Sequence, residues 1–400
     1  MFKFNNSSIK SRIRFSALSL LAASAIIAAP ECMGASVPNR AHSAVKSRSL
    51  LFAGPDSVSK FYRIPAIAAL PDGTIAAVAD RRLVSNADLP NPIDVVCRTS
   101  FDGGTTWTDA VVVALNDEGG GYGDPALGYD PASGDLVSVF THGEGLWTSE
   151  PGKHAYIYTS RSADGGLTWS TPKDITADIF SQTKDAAPVH GITVFATSGG
   201  MHTAPDGTMW FALVTRHNEK EKYGPMRIHA VKSSDGGQTW TSEPFIVDED
   251  ADESKIVSTA DGSLLMSIRN RRKGNRKFAR SDDGGKTWAP AELSTTLPDP
   301  ACNGDIIALP DGRLLHSIND SDTDRHCISL FISEDHGKTW EKVIELTPKG
   351  VTAAYSAMTL IDPLTLGVLT EEANAKGGLR IWFTKIDLPT LLDNTDHTPW

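Results

Sequence analysis

The sequence predicts an all-β protein, specifically a six-bladed β-propeller of four-stranded antiparallel blades. One phrase, Ser-x-Asp-x-Gly-x-Thr-Trp, occurs five times, and its successive aspartates lie 62, 71, 48 and 52 residues apart. A second, shorter turn of the Pro-Asp-Gly type recurs between the copies, and short β-forming runs flank both kinds of turn. Internal repeats of about fifty residues that contain several strands are typical of propellers and related repeat architectures.

The repeated phrase, called the repeated turn below, has the chemistry of a tight corner. Its copies are Ser100–Trp107, Ser162–Trp169, Ser233–Trp240, Ser281–Trp288 and Ser333–Trp340. Ser and Asp side chains bond to nearby backbone amides, Gly adopts the positive φ that the corner needs, and Trp supplies an apolar face. A residue needed once per repeat is structural, and the acidic spacing of a calcium loop is absent. We therefore predict that the repeated aspartates belong to the scaffold.

One unit consists of four strands, A to D. In the first unit, strands A and B are predicted at 64–70 and 74–79, and strands C and D at 94–99 and 110–114. The repeated turn joins C to D, and the shorter turn joins A to B. Copies of the shorter turn are Pro71-Asp-Gly73, Pro205-Asp-Gly207, Ala260-Asp-Gly262 and Pro310-Asp-Gly312. Units begin near Ile64, Pro125, Val194, Ile256, Asp305 and Ser356.

The sixth unit lacks the repeated turn, which indicates how the ring closes. Its third strand is predicted at 379–386, and no β-forming run follows a corner there. We therefore predict that residues 49–53, near the N-terminus, supply its outer strand and join the two ends of the chain. A β-sandwich or a solenoid is the alternative, and either explains the six-fold count less well.

The first 35 residues predict a secretory signal peptide. Basic residues precede an apolar run at 15–30, and small residues follow near Gly34. A membrane anchor is less favoured because the run is short for a bilayer. The remaining chain divides into a linker at 36–48, the propeller at 49–390 and a tail at 391–400, and we expect the protein to be secreted or periplasmic.

Composition and motif content exclude several function classes. The formal net charge of −11 argues against nucleic-acid binding. No second apolar run is long enough to span a membrane. Three cysteines remain after the predicted cleavage, so a disulfide framework is not expected. The sequence has no His-Glu-x-x-His, no Gly-x-Ser-x-Gly and no complete P-loop, which leaves metalloprotease, serine-hydrolase and nucleotide-binding functions without support.

Strand topology predicts where a site can form. Connections in an antiparallel meander alternate between the two ends of the strands, so the A–B turns and the repeated turns share one face, the bottom. The B–C loops and the links between units share the opposite face, the top. Polar residues predicted at the top are Arg63, Asp80, Arg81, Arg82, Asp88, Asp124, Glu253, Arg269, Arg325, Tyr355 and Glu371. Each alone would be a solvated charge or a rim salt bridge. Three arginines from different units at one end of an axis, however, require a compensating anion or carboxylates.

These residues resemble the exo-sialidases (neuraminidases) of bacterial type. The matching motifs are Tyr62-Arg-Ile-Pro65, Ala79-Asp-Arg81 with Asp88, Asp252-Glu-Ser254, Ser267-Ile-Arg-Asn270, Arg325 before a β-forming run, Tyr355-Ser356 and the five repeated turns, which match that family's Asp boxes. The resemblance covers nearly all of the chain beyond the predicted signal peptide. It implies release of terminal α-linked sialic acid from glycoproteins, glycolipids and oligosaccharides, without a cofactor or a metal ion.

The resemblance also implies a binding role for four residues. Arg63, Arg269 and Arg325 match the arginine triad that clamps the sialic acid carboxylate, and Glu371 matches the carboxylate that orients the first arginine. Guanidinium groups suit this task because they bind a carboxylate bidentately and their charge does not titrate away.

The chemical roles follow from the same resemblance. Tyr355 matches the nucleophile, Glu253 its base and Asp88 the acid/base, while Arg82 and Asp124 match residues near the sugar 4-hydroxyl. Sialic acid carries a carboxylate on its anomeric carbon, so a neutral phenol avoids the repulsion that an anionic nucleophile would meet. Its reference pKa near 10 requires an adjacent base. The resemblance implies retention through a sialyl-tyrosine, and we expect an acidic to near-neutral pH optimum because Asp88 must be protonated.

Two alternatives remain open at this level. A non-catalytic sialoside-binding propeller would need the arginines but not the nucleophile, its base or the acid/base. A trans-sialidase would share the covalent intermediate and would add a sugar-binding acceptor side. Candidate aromatic residues for that side are Trp147, Tyr156, Tyr158 and Tyr223.

Overall fold

The computed structural model describes residues 41–393 apart from 151, 182–192, 217–225, 244–247, 249–250 and 349. Six antiparallel sheets follow one another along the chain and form six blades around one axis. The predicted six-bladed all-β fold is confirmed. The predicted signal peptide lies outside the described residues, as do 36–40 of the predicted linker and 394–400 of the predicted tail.

Blades are numbered in chain order, and strands A to D run from the axis outwards. Blade 1 consists of Phe61–Ala69, Ile75–Arg82, Ile93–Ser100 and Val111–Ala114. Blade 2 consists of Gly121–Tyr129, Leu136–Gly143, Ala155–Ser162 and Lys173–Asp174. Blade 3 consists of Thr193–Ala196, Met209–Arg216, Met226–Ser233 and Thr241–Ser242. Two short segments follow strand A of blade 3: Gly199–Gly200 pairs parallel with strand A of blade 2, and His202–Thr203 pairs antiparallel with strand B of blade 3.

The last three blades have the same strand order. Blade 4 consists of Ala251–Ser258, Leu264–Asn270, Gly274–Ser281 and Glu292–Asp299. Blade 5 consists of Asp305–Ala308, Leu314–Asn319, Ile328–Ser333 and Glu341–Glu345. Blade 6 consists of Ala353–Asp362, Thr365–Ala373, Leu379–Asp387 and, as its outer strand, Val45–Phe52. The helical segments are Ala41–Ala44, Thr176–Phe180 and Leu388–Leu392. None of these described helices has the length and apolar character of a bilayer span.

The outer strand of blade 6 closes the ring as predicted. Val45–Phe52 pairs antiparallel with Leu379–Asp387, with Leu50 opposite Trp382. The strand begins four residues before the predicted boundary at 49, because Ala44 is buried with Leu388 of the C-terminal helix and so belongs to the folded unit. The two ends of the propeller are therefore held together by a hydrogen-bonded sheet and an apolar cluster.

The aspartate of each repeated turn forms hydrogen bonds within its own turn. In the first copy, the Ser100 hydroxyl donates to Asp102 at 2.8 Å and accepts from the Gly104 amide at 2.8 Å. The Thr106 hydroxyl donates to Asp102 at 2.6 Å, and that bond, with its neighbours, lowers the pKa of Asp102 to about 2. The Ser, Gly and Thr bonds recur in the other four copies with closely similar distances. The aspartates thus stabilise the corners, as predicted.

The two faces of the propeller differ in chemistry. At the bottom, the ends of the A strands and the A–B turns surround an axial cavity of about 780 Å³. Its lining is mostly apolar, with contributions from Ile67, Leu127 and Met358. At the top, a smaller cavity of about 240 Å³ is lined by seven charged side chains together with polar and apolar ones. The predicted separation of turns and charged residues is therefore observed.

Candidate active site

Four inner strands carry a β-bulge at the top of the axis. In blade 1 the register moves from Arg63 opposite Asp80 to Ala66 opposite Val78, so strand A contains one extra residue. The same jump occurs in blades 2, 4 and 6, at Gly123/Ala126, Ala251/Ser254 and Ala353/Ser356. A bulge bends the strand and redirects its side chains. The bulges therefore account for how the inner strands of four blades present polar side chains to one opening.

The top pocket brings together seven of the nine predicted site residues. They are Arg63, Asp88, Asp124, Glu253, Arg269, Arg325 and Tyr355. The other two, Arg82 and Glu371, are almost fully buried and contact the lining residues from behind. Apolar side chains complete the wall, among them Leu146, Trp147 and Phe195.

Arg63 is fixed by a buried carboxylate. Glu371 accepts Nε of Arg63 at 2.8 Å and Nη2 at 3.0 Å, and it also accepts the backbone amides of Ile64 at 2.6 Å and Tyr355 at 3.1 Å. Ile64 reaches this position because the bulge gives it a φ of +57°. Burial raises the pKa of Glu371, but the Arg63 charge and these hydrogen bonds outweigh it and leave the pKa below its usual value. Glu371 therefore holds blades 1 and 6 in register behind the pocket.

Tyr355 and Glu253 form a buried acid–base pair. The phenol donates to Oε2 of Glu253 at 2.8 Å, and only 8% of Tyr355 is exposed. Nη1 of Arg269 donates to the same carboxylate oxygen and, at 3.3 Å, to the phenolic oxygen. Burial, together with the Glu253 charge, raises the pKa of Tyr355 well above its ordinary value. The phenol is therefore protonated at neutral pH, and Glu253 is placed to accept its proton.

Two arginines flank the tyrosine ring. The guanidinium carbons of Arg63 and Arg325 lie 5.3 and 5.7 Å from the ring centroid of Tyr355. Arg325 donates Nη2 to the carbonyl of Ala301 at 2.7 Å, and no carboxylate of the described residues forms an ion pair with it. Its positive charge is therefore available to an anion in the pocket.

A second charged group lies on the side of blades 1 and 2. Arg82, which is 1% exposed, bridges the buried carboxylate of Asp80 at 2.9 Å and the Asp88 carboxylate at 2.7 Å. Oδ1 of Asp80 also accepts the Asp124 amide at 3.0 Å. Asp88 is 77% exposed and is therefore in contact with solvent. Burial beside Asp80, Asp88 and Glu253 raises the pKa of Asp124 well above its usual range, which favours its neutral form.

Known proteins resemble this chain in sequence and in fold. Residues 91–364 match the family described as BNR repeat-like domain. A sialidase of Micromonospora viridifaciens is 34% identical over 334 residues, which cover 78% of this chain and 50% of that protein. A sialidase of Bacteroides fragilis is 30% identical over 356 residues, covering 81% of this chain and 62% of that protein. The solved Hadza microbial sialidase Hz136 superposes with a TM-score of 0.74 at 26% identity, over 85% of this chain and 68% of that one.

The chain belongs to the sialidase family. The family resemblance predicted from the motifs is therefore confirmed. The chain spans 50% and 62% of the lengths of the two sialidases from Micromonospora viridifaciens and Bacteroides fragilis.

The described aromatic residues that were considered for an acceptor side lie in two different cavities of this sialidase-family structure. Trp147 lines the top pocket. Tyr156 and Tyr158 instead line a separate depression with His142 and His154. Tyr223 lies outside the described residues. Of the described candidates, Trp147 is therefore the one that a pocket-bound ligand can contact.

Sequence reasoning missed Leu146 and Phe195 of the apolar wall and the support behind the arginines. Leu146 lies in a B–C loop, where the topology rule would have found it, but an apolar loop residue carries no distinctive signal. Asp299 ends strand D of blade 4 and Cys302 lies in the link to blade 5, and nothing in their local sequence marks them. Their importance becomes visible only through hydrogen bonds to distant backbone.

Glu371→Gln is expected to destabilise the protein and to weaken sialoside binding. Glutamine keeps the size of the side chain but removes the charge that compensates Arg63, and breaking one side of a buried pair costs about 3–5 kcal/mol. The folded-state pKa of Glu371 lies below its ordinary value of 4.5. Its stabilising contribution is therefore complete above the unfolded-state pKa and is lost as pH falls through the folded-state pKa.

Thermal melting from neutral pH to about pH 3 checks this prediction. The difference in Tm between wild type and Glu371→Gln should be largest at neutral pH and should shrink as the pH falls into the acidic range. A difference that stays constant over the whole range would contradict the assigned ionisation of Glu371.

Proposed function

We propose that this protein is a secreted or periplasmic exo-α-sialidase that hydrolyses terminal α-linked sialic acid from glycoproteins, glycolipids and oligosaccharides. The observation that carries the proposal is one pocket that combines three arginines with a buried tyrosine–glutamate pair. Export is supported by the predicted signal peptide at 1–35.

The arginines suit the carboxylate of sialic acid. Arg63 is oriented by Glu371 through Nε and Nη2, Arg325 by the Ala301 carbonyl, and Arg269 by the neighbouring Glu253. Each guanidinium is thus anchored on one side and can present its remaining donors to a ligand. Anchored guanidinium forks lose little entropy when they bind a carboxylate bidentately. This preorganisation favours a monoanionic sugar acid over a neutral sugar.

The pocket also has an apolar wall that simple anion binding does not require. Leu146, Trp147 and Phe195 line it, and 38% of Trp147 remains exposed. Ligand pockets combine such apolar surface with a few placed polar groups. An N-acylated sugar acid could bury its acyl methyl group against this wall while its carboxylate meets the arginines. This combination matches N-acetylated sialic acid.

The first chemical step uses Asp88, Tyr355 and Glu253. Asp88 is exposed and pairs with Arg82, and it serves as the acid of this step. Protonated Asp88 gives its proton to the leaving glycosidic oxygen as the bond to the anomeric carbon breaks. The phenolic oxygen of Tyr355 attacks the same carbon, and Glu253 accepts the phenolic proton. The product is a sialyl-tyrosine with inverted anomeric configuration.

The second step reverses these roles. The Asp88 carboxylate removes a proton from water, and the water oxygen attacks the anomeric carbon. The bond to Tyr355 breaks, and Glu253 returns the proton to the phenolic oxygen. Two inversions give net retention. A non-catalytic sialoside-binding protein would have no use for the Tyr355–Glu253 pair, so the enzyme is favoured.

Hydrolysis of an aryl α-sialoside followed by NMR tests the proposal. We expect aglycone release at acidic to near-neutral pH, with the α-anomer of free sialic acid as the first product before mutarotation. If no aglycone were released between about pH 4 and 8, the hydrolase assignment would be wrong. A β-anomer as first product would exclude the sialyl-tyrosine. Adding lactose as an acceptor distinguishes hydrolysis from transfer, because transfer yields sialyllactose.

A further inference from the structure

A fully buried ion pair lies behind the pocket and outside the predicted site. Arg276 and Asp299 are both 0% exposed, and Nη1 of Arg276 lies 3.1 Å from Oδ2 of Asp299. Burying two charges is costly, and apolar residues of similar volume often give an equally stable core. Stability alone is therefore a weak explanation for this pair, and its hydrogen bonds suggest another.

Asp299 connects the pair to one segment that carries a pocket arginine and to a second segment that bonds to another pocket arginine. Its Oδ2 accepts the amide of Asn270 at 2.9 Å, and its Oδ1 accepts the amide of Cys302 at 3.0 Å. Asn270 directly follows Arg269 at the end of strand B of blade 4. Cys302 directly follows Ala301, whose carbonyl accepts the guanidinium of Arg325. One carboxylate therefore fixes the backbone beside two of the three pocket arginines.

Arg276 also bonds to the segment that contains Cys302, between blades 4 and 5. Its Nη1 donates to the carbonyl of Cys302 at 2.9 Å, and its Nε donates to the hydroxyl of Ser267 at 2.9 Å. Both backbone polar groups of Cys302 are thus bonded to the ion pair. The preceding residue, Ala301, has a φ of +60°, an uncommon conformation for alanine, and it accepts Nη2 of Arg325 at 2.7 Å.

The segment that contains Cys302 also contacts the backbone beside Tyr355. The buried thiol of Cys302 donates to the carbonyl of Ala354 at 3.3 Å, and Ala354 directly precedes Tyr355. Cys302, Ala354 and Tyr355 pack in one apolar cluster with Ile64. The ion pair on blade 4 is therefore connected through Cys302 to the bulge on blade 6.

We infer that Arg276 and Asp299 are positioning residues, which set the backbone geometry that aims Arg269, Arg325 and Tyr355 into the pocket. This inference rests on the proposed sialidase function. Neither residue lines the pocket, so both act through the segments they hold. Bidentate carboxylate binding depends strongly on distance and angle, and a misplacement of about 1 Å can cost roughly a hundred-fold in rate.

The test compares Asp299→Asn with a charge-neutral double variant, Arg276→Met/Asp299→Asn. Asp299→Asn leaves the buried Arg276 charge without its partner and weakens one of two amide bonds. We expect KM for an aryl α-sialoside to rise about ten- to a hundred-fold, with a smaller fall in kcat, and the dissociation constant of the unsaturated sialic acid glycal to rise in parallel. A merely structural role would reduce the active fraction, and so kcat, while KM stayed unchanged.

The double variant separates positioning from folding. Removing both charges should recover much of the Tm lost in Asp299→Asn, because no unpaired buried charge remains. Its KM should stay raised, because the bond from Arg276 to the Cys302 carbonyl is absent. A folded double variant with wild-type KM and glycal affinity would overturn the inference.

Asp130→Asn serves as the matched control. Asp130 is a buried aspartate at the bottom corner of blade 2, 3.5 Å from Arg161, and it accepts the Ser133 hydroxyl at 2.6 Å. Its replacement should lower Tm but leave KM unchanged. If the wild-type protein neither hydrolyses the sialoside nor binds the glycal, the proposed function fails. If the wild-type protein does both and the Asp299 variants have an unaltered KM, only the positioning role is refuted.

Discussion

Tyr355→Phe is expected to abolish hydrolysis of an aryl α-sialoside while leaving the protein folded and able to bind ligand. Phenylalanine keeps the ring that lies between Arg63 and Arg325, so the pocket walls should be preserved. It removes the oxygen that bonds to Glu253 and that would attack the anomeric carbon. Loss of a catalytic nucleophile typically lowers kcat by several orders of magnitude, so we expect a fall of at least about a thousand-fold.

Steady-state kinetics, Tm and glycal binding together check this expectation. Binding should stay within a few-fold of wild type, because the arginines and Glu253 are still present. Tyr122→Phe is the matched control, since Tyr122 is also a buried tyrosine bonded to an acidic side chain, Asp117, at 3.3 Å, but its hydroxyl is outside the pocket. If Tyr355→Phe kept more than about a tenth of wild-type kcat, Tyr355 would not be the nucleophile.

Arg325→Lys is expected to lower kcat/KM by about a hundred- to a thousand-fold. Arg325 uses Nη2 to bond to Ala301 and has further donors for the substrate carboxylate. A lysine ammonium is a point charge and cannot reproduce the bidentate fork, nor span the Ala301 carbonyl and a carboxylate with the same geometry. Hydrogen bonds to charged groups contribute about 1.5–3 kcal/mol each, and the loss of two bonds near the lower end of that scale, about 3–4 kcal/mol in total, accounts for the expected range.

The decisive measurement is the parallel change in KM and in the glycal dissociation constant. Arg313→Lys provides the control, because Arg313 pairs with Asp311 on the bottom turn of blade 5, away from the pocket, and should tolerate the change. Near-normal efficiency in Arg325→Lys would remove Arg325 from the carboxylate clamp.

The blade count and the ring closure could be predicted because each repeat carries its own turn chemistry. The strand starts were less accurate: units were predicted to begin near Ile64, Pro125, Ile256 and Ser356, whereas the A strands begin at Phe61, Gly121, Ala251 and Ala353. Every one of these displacements falls at a bulge. An extra residue interrupts the alternation that marks a strand, so the pattern becomes recognisable only after the bulge.

The site residues that belong to recognisable motifs could be predicted from the sequence. The motif residues of the resemblance do come together, although Arg82 bridges two aspartates behind the pocket instead of lining it. Arg276 illustrates what the sequence conceals. It lies in a basic run with Arg271, Arg272 and Lys273, which suggests a solvated segment, yet it is completely buried. Its burial depends on Asp299, 23 residues further along the chain, and no local pattern records that partnership.

Closure of the ring by the N-terminal strand makes the pocket depend on both ends of the propeller. Arg63 meets Glu371 across 308 residues, and Tyr355 lies on the same blade as Glu371. Without Leu379–Asp387, Val45–Phe52 would lack the strand it pairs with, and an unpaired strand edge is a template for association with other chains. A propeller that lacked the sixth blade would also lack Tyr355 and the carboxylate that orients Arg63, so one blade both completes the pocket and pairs with the N-terminal strand.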